Sequence, residues 1–228
     1  MRKTKKMLVI ALAAVLLLIL TGCGNSADKA PEGKSAEPSV GTRQDSASAE
    51  RAEGQGKALV VYFSRTGEQY TVGVIDKGNT AIVAEMIAGQ TGADLFEIVP
   101  ADDHYPMTYD ALTDVARKEQ REKARPAYAG TLPDPGGYDT VFIGAPVWWG
   151  DWPMIMYTVF ENNDFSGKKL VPFSTHEGSG LSGFDRKLAA ACKDARVLEG
   201  LAVRGNDCQN RQDKVKESVS QWLGSLGY

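Results

Sequence analysis

The chain has no basic excess: 26 lysines and arginines face 29 aspartates and glutamates, for a net charge of −3. A nucleic-acid surface needs a basic patch, so that class of partner is disfavoured. Cysteine is scarce: there are three, none in a C-x-x-C pair and none clustered with histidine. Zinc ligation and thioredoxin-like redox chemistry therefore have no support. Only two histidines are present, and Ser179 lies in E-G-S-G rather than in G-x-S-x-G, so a hydrolase triad has no starting point. Asp102, Asp103 and His104 read as a solvated turn before Tyr105-Pro106 rather than as a metal site.

The opening apolar run is also too short to span a bilayer. Residues 7–20 form an unbroken apolar stretch of 14 residues behind Arg2, Lys3, Lys5 and Lys6. A spanning helix needs roughly 20 residues, whereas a basic n-region and a run of this length describe a signal peptide. The run ends in Leu20-Thr21-Gly22-Cys23, which resembles the lipobox of bacterial lipoproteins. This predicts a signal peptide over 1–22 and lipidation of Cys23, hence an extracytoplasmic protein anchored to the cell membrane by lipid. Residues 24–56 hold no aromatic residue and a single large aliphatic, Val40, so they predict a flexible linker. Cys192 and Cys208 then remain as an even pair in an exported domain, where a disulfide is one possibility and two unrelated thiols the other.

A folded domain is expected over 57–228. Five β-prone runs, 57–63, 94–99, 140–145, 169–175 and 196–203, alternate with helical patterns. Pro172 is the weak point of the fourth strand. Asn79 or Thr80 would cap the first helix, and Gly92 would close it. Strands alternating with helices predict an α/β fold, a three-layer doubly wound parallel sheet with both faces covered. Ligands of such sheets bind beyond the carboxyl ends of the strands, where the strand order reverses.

Three loops follow those ends. The first, Ser64-Arg65-Thr66-Gly67, lacks G-K-[ST] and G-x-G-x-x-G, but its small hydroxyl residues next to a helix N-terminus suit a phosphate. The second, Pro146-Val147-Trp148-Trp149-Gly150, places two adjacent indoles after a buried strand. Their side chains must diverge, so one packs inward while the other offers an aromatic face. The third runs from Thr175 and His176 through Gly178, Ser179 and Gly180, with backbone free to face a ligand.

These segments, with G-N-T-A-I-V-A-E-M-I-A at 78–88, Y-D-T-V-F-I-G-A-P-V-W-W-G at 138–150 and F-S-G-K-K-L-V-P-F-S-T at 165–175, resemble the flavodoxin-like family, in its branch with a W-W-G second loop. The resemblance covers nearly all of 57–228. It implies a five-stranded sheet of order 2-1-3-4-5 and FMN as cofactor. It also implies a phosphate loop of Ser64, Arg65, Thr66 and Gly67 with Asn79 and Thr80, and ring-binding loops at 146–150 and 175–180. Family members commonly run from the first Gly directly into the N-T of the helix, whereas here residues 68–78 intervene and must loop out. Glu68, Tyr70 and Asp76 of that insertion are placed to cover the cofactor or to contact a partner. No side chain need act as acid or base, so no catalytic residue and no metal site are assigned. An electron carrier working with a redox partner protein or a quinone at the membrane is the leading expectation. An FMN-dependent NAD(P)H:quinone or acceptor reductase and a binding lipoprotein without FMN are the alternatives.

Overall fold

A computed structural model describes residues 56–228. Cys23, the signal peptide and the linker up to residue 55 lie outside the described residues. No helix among the described residues is long and apolar enough to cross a membrane.

The domain is a parallel sheet between two helical layers. In chain order the elements are β1 (Ala58–Tyr62), β2 (Gly67–Gln69), β3 (Gly73–Ile75), α1 (Asn79–Thr91), β4 (Asp94–Glu97), α2 (Tyr109–Glu122) and β5 (Thr140–Pro146). They continue with α3 (Met154–Asn162), β6 (Lys169–His176), α4 (Phe184–Ala191), β7 (Arg196–Val197), β8 (Leu201–Arg204), α5 (Gly205–Asn210) and α6 (Gln212–Ser225). The sheet order is β4-β1-β5-β6-β7, with β8 also on β6, and every ladder is parallel. Counting β7 and β8 as one broken edge strand, this is the expected order 2-1-3-4-5.

The break has a local cause in β6. The carbonyls of Lys168 and Leu170 accept from the N–H groups of Arg196 and Leu198, so even-numbered residues of β6 face the edge strand. Pro172 falls on that side and has no N–H to give. Pairing lapses after Leu170–Val197 and resumes at Phe173–Leu201. Gly200 fills the gap, where a Cβ would come within 2.7 Å of the Pro172 carbonyl oxygen.

Alternation along each strand feeds two cores. Leu59, Val61, Phe63, Val141 and Ile143 face α3 and α4 through Ile155, Val159, Phe184 and Leu188. Val60, Tyr62, Phe142, Val171 and Phe173 face α1 and α6 through Ile82, Val83, Ile87, Val215 and Val219. Strands buried on both sides read as continuous apolar runs for this reason. Helix α1 is likewise buried around most of its first two turns, from Asn79 to Ala84 and at Ile87. Cys192 lies in the first core and Cys208 in the second, and both are free thiols. The sheet separates them, which removes the disulfide alternative. Burial pushes the Cys192 thiol up to about 11 and the Cys208 thiol up to about 12.

Candidate functional site

A cleft of about 340 Å³ opens at the carboxyl ends of β5 and β6, beside the first residue of α1. Its size falls within the roughly 300–1,000 Å³ of small-molecule sites. Of the residues selected from sequence, Asn79, Pro146, Val147, Trp148, Trp149, Gly150, Thr175, His176, Gly178 and Ser179 form part of its wall.

The remaining predicted residues, Ser64, Arg65, Thr66, Gly67, Thr80 and Gly180, are not among the cleft's walls. Ser64 serves helix α1: its Oγ accepts from the Ala81 N–H at 3.0 Å. The residue at the N-cap is Gly78, not Asn79 or Thr80. A Cβ on Gly78 would lie 2.1 Å from the Ser64 Oγ and 2.7 Å from the Arg65 carbonyl, so the close approach of loop and helix requires glycine. The Thr80 hydroxyl is buried against the Thr175 hydroxyl at 2.8 Å. The Gly180 carbonyl accepts from Ser174 Oγ at 3.1 Å. The Thr66 carbonyl accepts from Gln69 Nε2 at 3.4 Å, and Gly67 begins the inserted hairpin.

Arg65 turns away from the loop it was expected to serve. Its guanidinium meets Asp103 at 2.8 Å and the Tyr105 carbonyl at 2.7 Å, and its Nε is buried with no hydrogen-bond partner. The Asp102–His104 turn is therefore more than a solvated bend. Asp103 holds Arg65, while His104 reaches the buried Glu119 of α2 at 2.7 Å, beside a Tyr105 O–H that donates to the same carboxylate at 3.0 Å. Both ring nitrogens of His104 face acceptors, since Nδ1 lies 2.9 Å from the Asp102 carbonyl. Only the imidazolium satisfies both. The Glu119 hydrogen bond is the main reason its pKa is raised.

The two indoles diverge as expected. Trp148 packs inward, edge-on to Phe63 at 5.4 Å and to Tyr105 at 5.2 Å. Its backbone exchanges two hydrogen bonds with Asp151, and Trp149 and Gly150 between them have φ of 51° and 71°. Two successive positive φ values between exchanged bonds describe a type I′ turn, which suits Gly and strains Trp. The turn is braced from outside. Asp151 Oδ1 accepts from the Trp152 N–H, the Tyr157 O–H and Lys187 Nζ, at 2.8, 3.0 and 3.1 Å. Lys187, on α4, also donates to the Gly150 carbonyl. Trp149 remains 45% exposed, with its Nε1–H donated to the Thr113 carbonyl at 2.9 Å and the Arg117 guanidinium 3.7 Å above its ring.

His176 is a neutral donor. Its Nδ1 accepts from the Gly178 N–H at 2.9 Å, which leaves Nε2–H as the proton-bearing nitrogen. Burial is the main cause of its lowered pKa. Glu177, next to it, is committed to the Asn206 N–H at 2.6 Å.

Part of the wall was not foreseen: Glu68 and Tyr70 were expected over the cofactor, but Gln69, Val72 and the face of α2 were not. The insertion forms a β2–β3 hairpin, and Glu68, Gln69, Tyr70 and Val72 border the cleft together with Tyr109, Leu112, Thr113 and Ala116 of α2. Glu68 fixes hairpin to helix: its N–H donates to the Met107 carbonyl at 2.8 Å and its carboxylate accepts from the Tyr109 N–H at 2.9 Å. Tyr70 and Tyr109 lie ring to ring at 5.5 Å. The insertion itself was the available signal, since it interrupts a loop expected to reach one ligand. Asp76 does not border the cleft.

The comparisons with known proteins agree with this architecture. The flavodoxin family model matches residues 57–223. A Bacteroides eggerthii protein provisionally described as a flavoprotein is 30% identical, covering 76% of this chain and 99% of its own, with a TM-score of 0.61. A similarly described Bacteroides uniformis protein is 29% identical over 75% of this chain and 99% of its own, with a TM-score of 0.59. A Lactobacillus acidophilus flavoprotein in complex with FMN is 21% identical over 69% of this chain and 99% of its own, with a TM-score of 0.52. No curated protein matches the sequence. With a family match over most of its length and the order of strands that the fold requires, the chain belongs to the flavodoxin family.

Proposed function

We propose that the domain binds FMN in this cleft and transfers electrons as a carrier, held by a lipid on Cys23 at the outer face of the cytoplasmic membrane. One observation carries the reading: a single cleft joins an indole pair, a glycine-rich backbone and the head of a buried helix at the carboxyl ends of β5 and β6. The residues present fit the group. Cβ atoms added at Gly150 or Gly178 would meet no atom within 4 Å beyond their chain neighbours, so backbone there is open to a ligand. The first N–H groups of α1 lack intrahelical acceptors; Ser64 takes that of Ala81, and those of Asn79 and Thr80 suit a phosphate. The hydroxyls of Ser64 and Thr80 are already engaged within the protein, so the phosphate is met chiefly by backbone N–H groups.

FMN supplies the one- or two-electron chemistry, and the chain supplies position and electrostatics. The exposed Trp149 would offer its face to the ring, with Trp148 behind it in the cleft wall, and the 146–150 and 175–179 backbones would meet its polar edge. His176 offers Nε2–H as a neutral donor. The hairpin narrows access from the side of α2. A redox protein or quinone at the membrane is the proposed partner.

The test is a visible absorption spectrum of the purified protein followed by stepwise reduction. A flavin spectrum that responds to a chemical reductant, and not to a nicotinamide cofactor, supports the carrier. Bleaching by a nicotinamide cofactor replaces the carrier with a reductase. A colourless protein that takes up no added FMN overturns both. Cys23→Ser tests the anchor: the variant must leave the membrane fraction, and retention there refutes lipid attachment at that residue.

A further inference from the structure

Arg117 has no role in the site as described so far. It is exposed on α2 and does not border the cleft, yet its guanidinium lies 3.7 Å above the ring of Trp149, which does. The indole therefore stands between the Arg117 cation and the cleft. The ring is not free to turn away. Its Nε1–H is tied to the Thr113 carbonyl, its own carbonyl accepts from Gln120 at 3.3 Å, and its backbone is held in the left-handed region by the braced turn. Three residues of one helix face, Thr113, Arg117 and Gln120, thus set the position of one aromatic wall or its charge.

From this geometry we infer that Arg117 tunes the bound flavin through Trp149, favouring the reduced form over the oxidised form. The inference rests on FMN occupying the cleft. A cation on one face of an indole withdraws electron density from that ring and leaves a positive field on the opposite side. Reduction of FMN adds negative charge, whereas the oxidised ring is neutral. A positive charge behind the wall therefore favours the reduced form over the oxidised form. Arg117 is a positioning and electrostatic residue, because the ring of Trp149 separates it from the cofactor. Its field opposes the acidic balance of the chain, so it raises the midpoint potential.

The readout is the ratio of dissociation constants for reduced and oxidised FMN, obtained by anaerobic titration of the full chain in detergent and checked by the midpoint potential. Arg117→Gln is expected to weaken binding of reduced FMN about threefold to tenfold relative to oxidised FMN, and to move the potential to more negative values. Arg117→Lys keeps the charge and is expected to restore most of the ratio. Lys193→Gln removes a positive charge that does not border the cleft, and is expected to leave the ratio unchanged. High salt is expected to shrink the Arg117 effect, since the group is exposed. An unmoved ratio in Arg117→Gln, or an equal shift in Lys193→Gln, overturns the inference while leaving FMN binding intact. Failure of the unaltered chain to bind FMN overturns the functional reading, and this inference with it.

Discussion

Single residues at the cleft carry strain and charge that their sequence neighbours do not announce. Trp149 has a φ of 51°, where an L residue crowds its own backbone at a cost of roughly 1–2 kcal/mol. Glycine does not incur that cost. Trp149→Gly is therefore expected to be more stable than Trp149→Ala by about 1 kcal/mol, both lacking the ring, when urea unfolding is compared. Equal stability of the two would show that the turn relaxes out of the left-handed region. The two histidines carry opposite pH signatures. His104 has a raised pKa, so its pairing with Glu119 stabilises the fold fully below the unfolded value of about 6.5 and is lost as pH rises through the folded value. His176 has a lowered pKa, so its neutral contact is complete above about 6.5 and is lost as pH falls towards the folded value. His104→Gln should therefore lower the urea midpoint more at pH 6 than at pH 9. A loss of equal size at both would mean that the imidazole acts by packing rather than by charge. Neither histidine's state was legible in the sequence, because the partners that decide it, Glu119 and the Gly178 amide, are set by folding.

At the scale of elements, legibility followed length and burial. The central strands were recognisable because strands buried on both faces are long apolar runs, as in 140–146. The three-residue strands β2 and β3, G-E-Q and G-V-I, are too short to show a period of two. The sequence thus marked the insertion's ends but not its shape. Helix α2 buries Leu112 and Ala116 at helical spacing, a pattern sequence can carry, but also Glu119, which it cannot, since a carboxylate on the apolar face is expected only where partners await it. The edge strand's interruption is the structural answer to Pro172, a doubtful strand residue in sequence that the sheet accommodates by leaving the facing ladder open. Hairpin and α2 are joined chiefly through Glu68, whose carboxylate takes the Tyr109 N–H where Thr108 provides no side-chain cap. Glu68→Ala is expected to cost about 1 kcal/mol, typical of a lost cap, and to raise amide exchange at Tyr109 and along residues 67–75. Exchange confined to Tyr109 would show that the hairpin holds itself in place.

The whole molecule explains why Cys192 and Cys208 did not become a crosslink. A parallel sheet with helices on both faces has two cores, and sequence alone does not say which core a helical residue enters when its helix is short. Cys192 closes α4 in the core with Phe184 and Leu188, while Cys208 sits on α5 in the core with Val203 and Val219. A disulfide needs Cα atoms within about 7 Å, and no bond of that length passes through an intervening sheet. Cys208 is 0% exposed and Cys192 8% exposed, so both thiols are shielded as well as held protonated. A thiol reagent at neutral pH is therefore expected to leave both unmodified in the folded domain and to modify both after denaturation, with the same yield whether or not a reductant was present beforehand. Thermal unfolding should likewise show no dependence on reductant. A reductant-dependent yield, or a midpoint that falls on reduction, would require the two helices to reach across the sheet and would contradict the two-core arrangement from which the site itself is built.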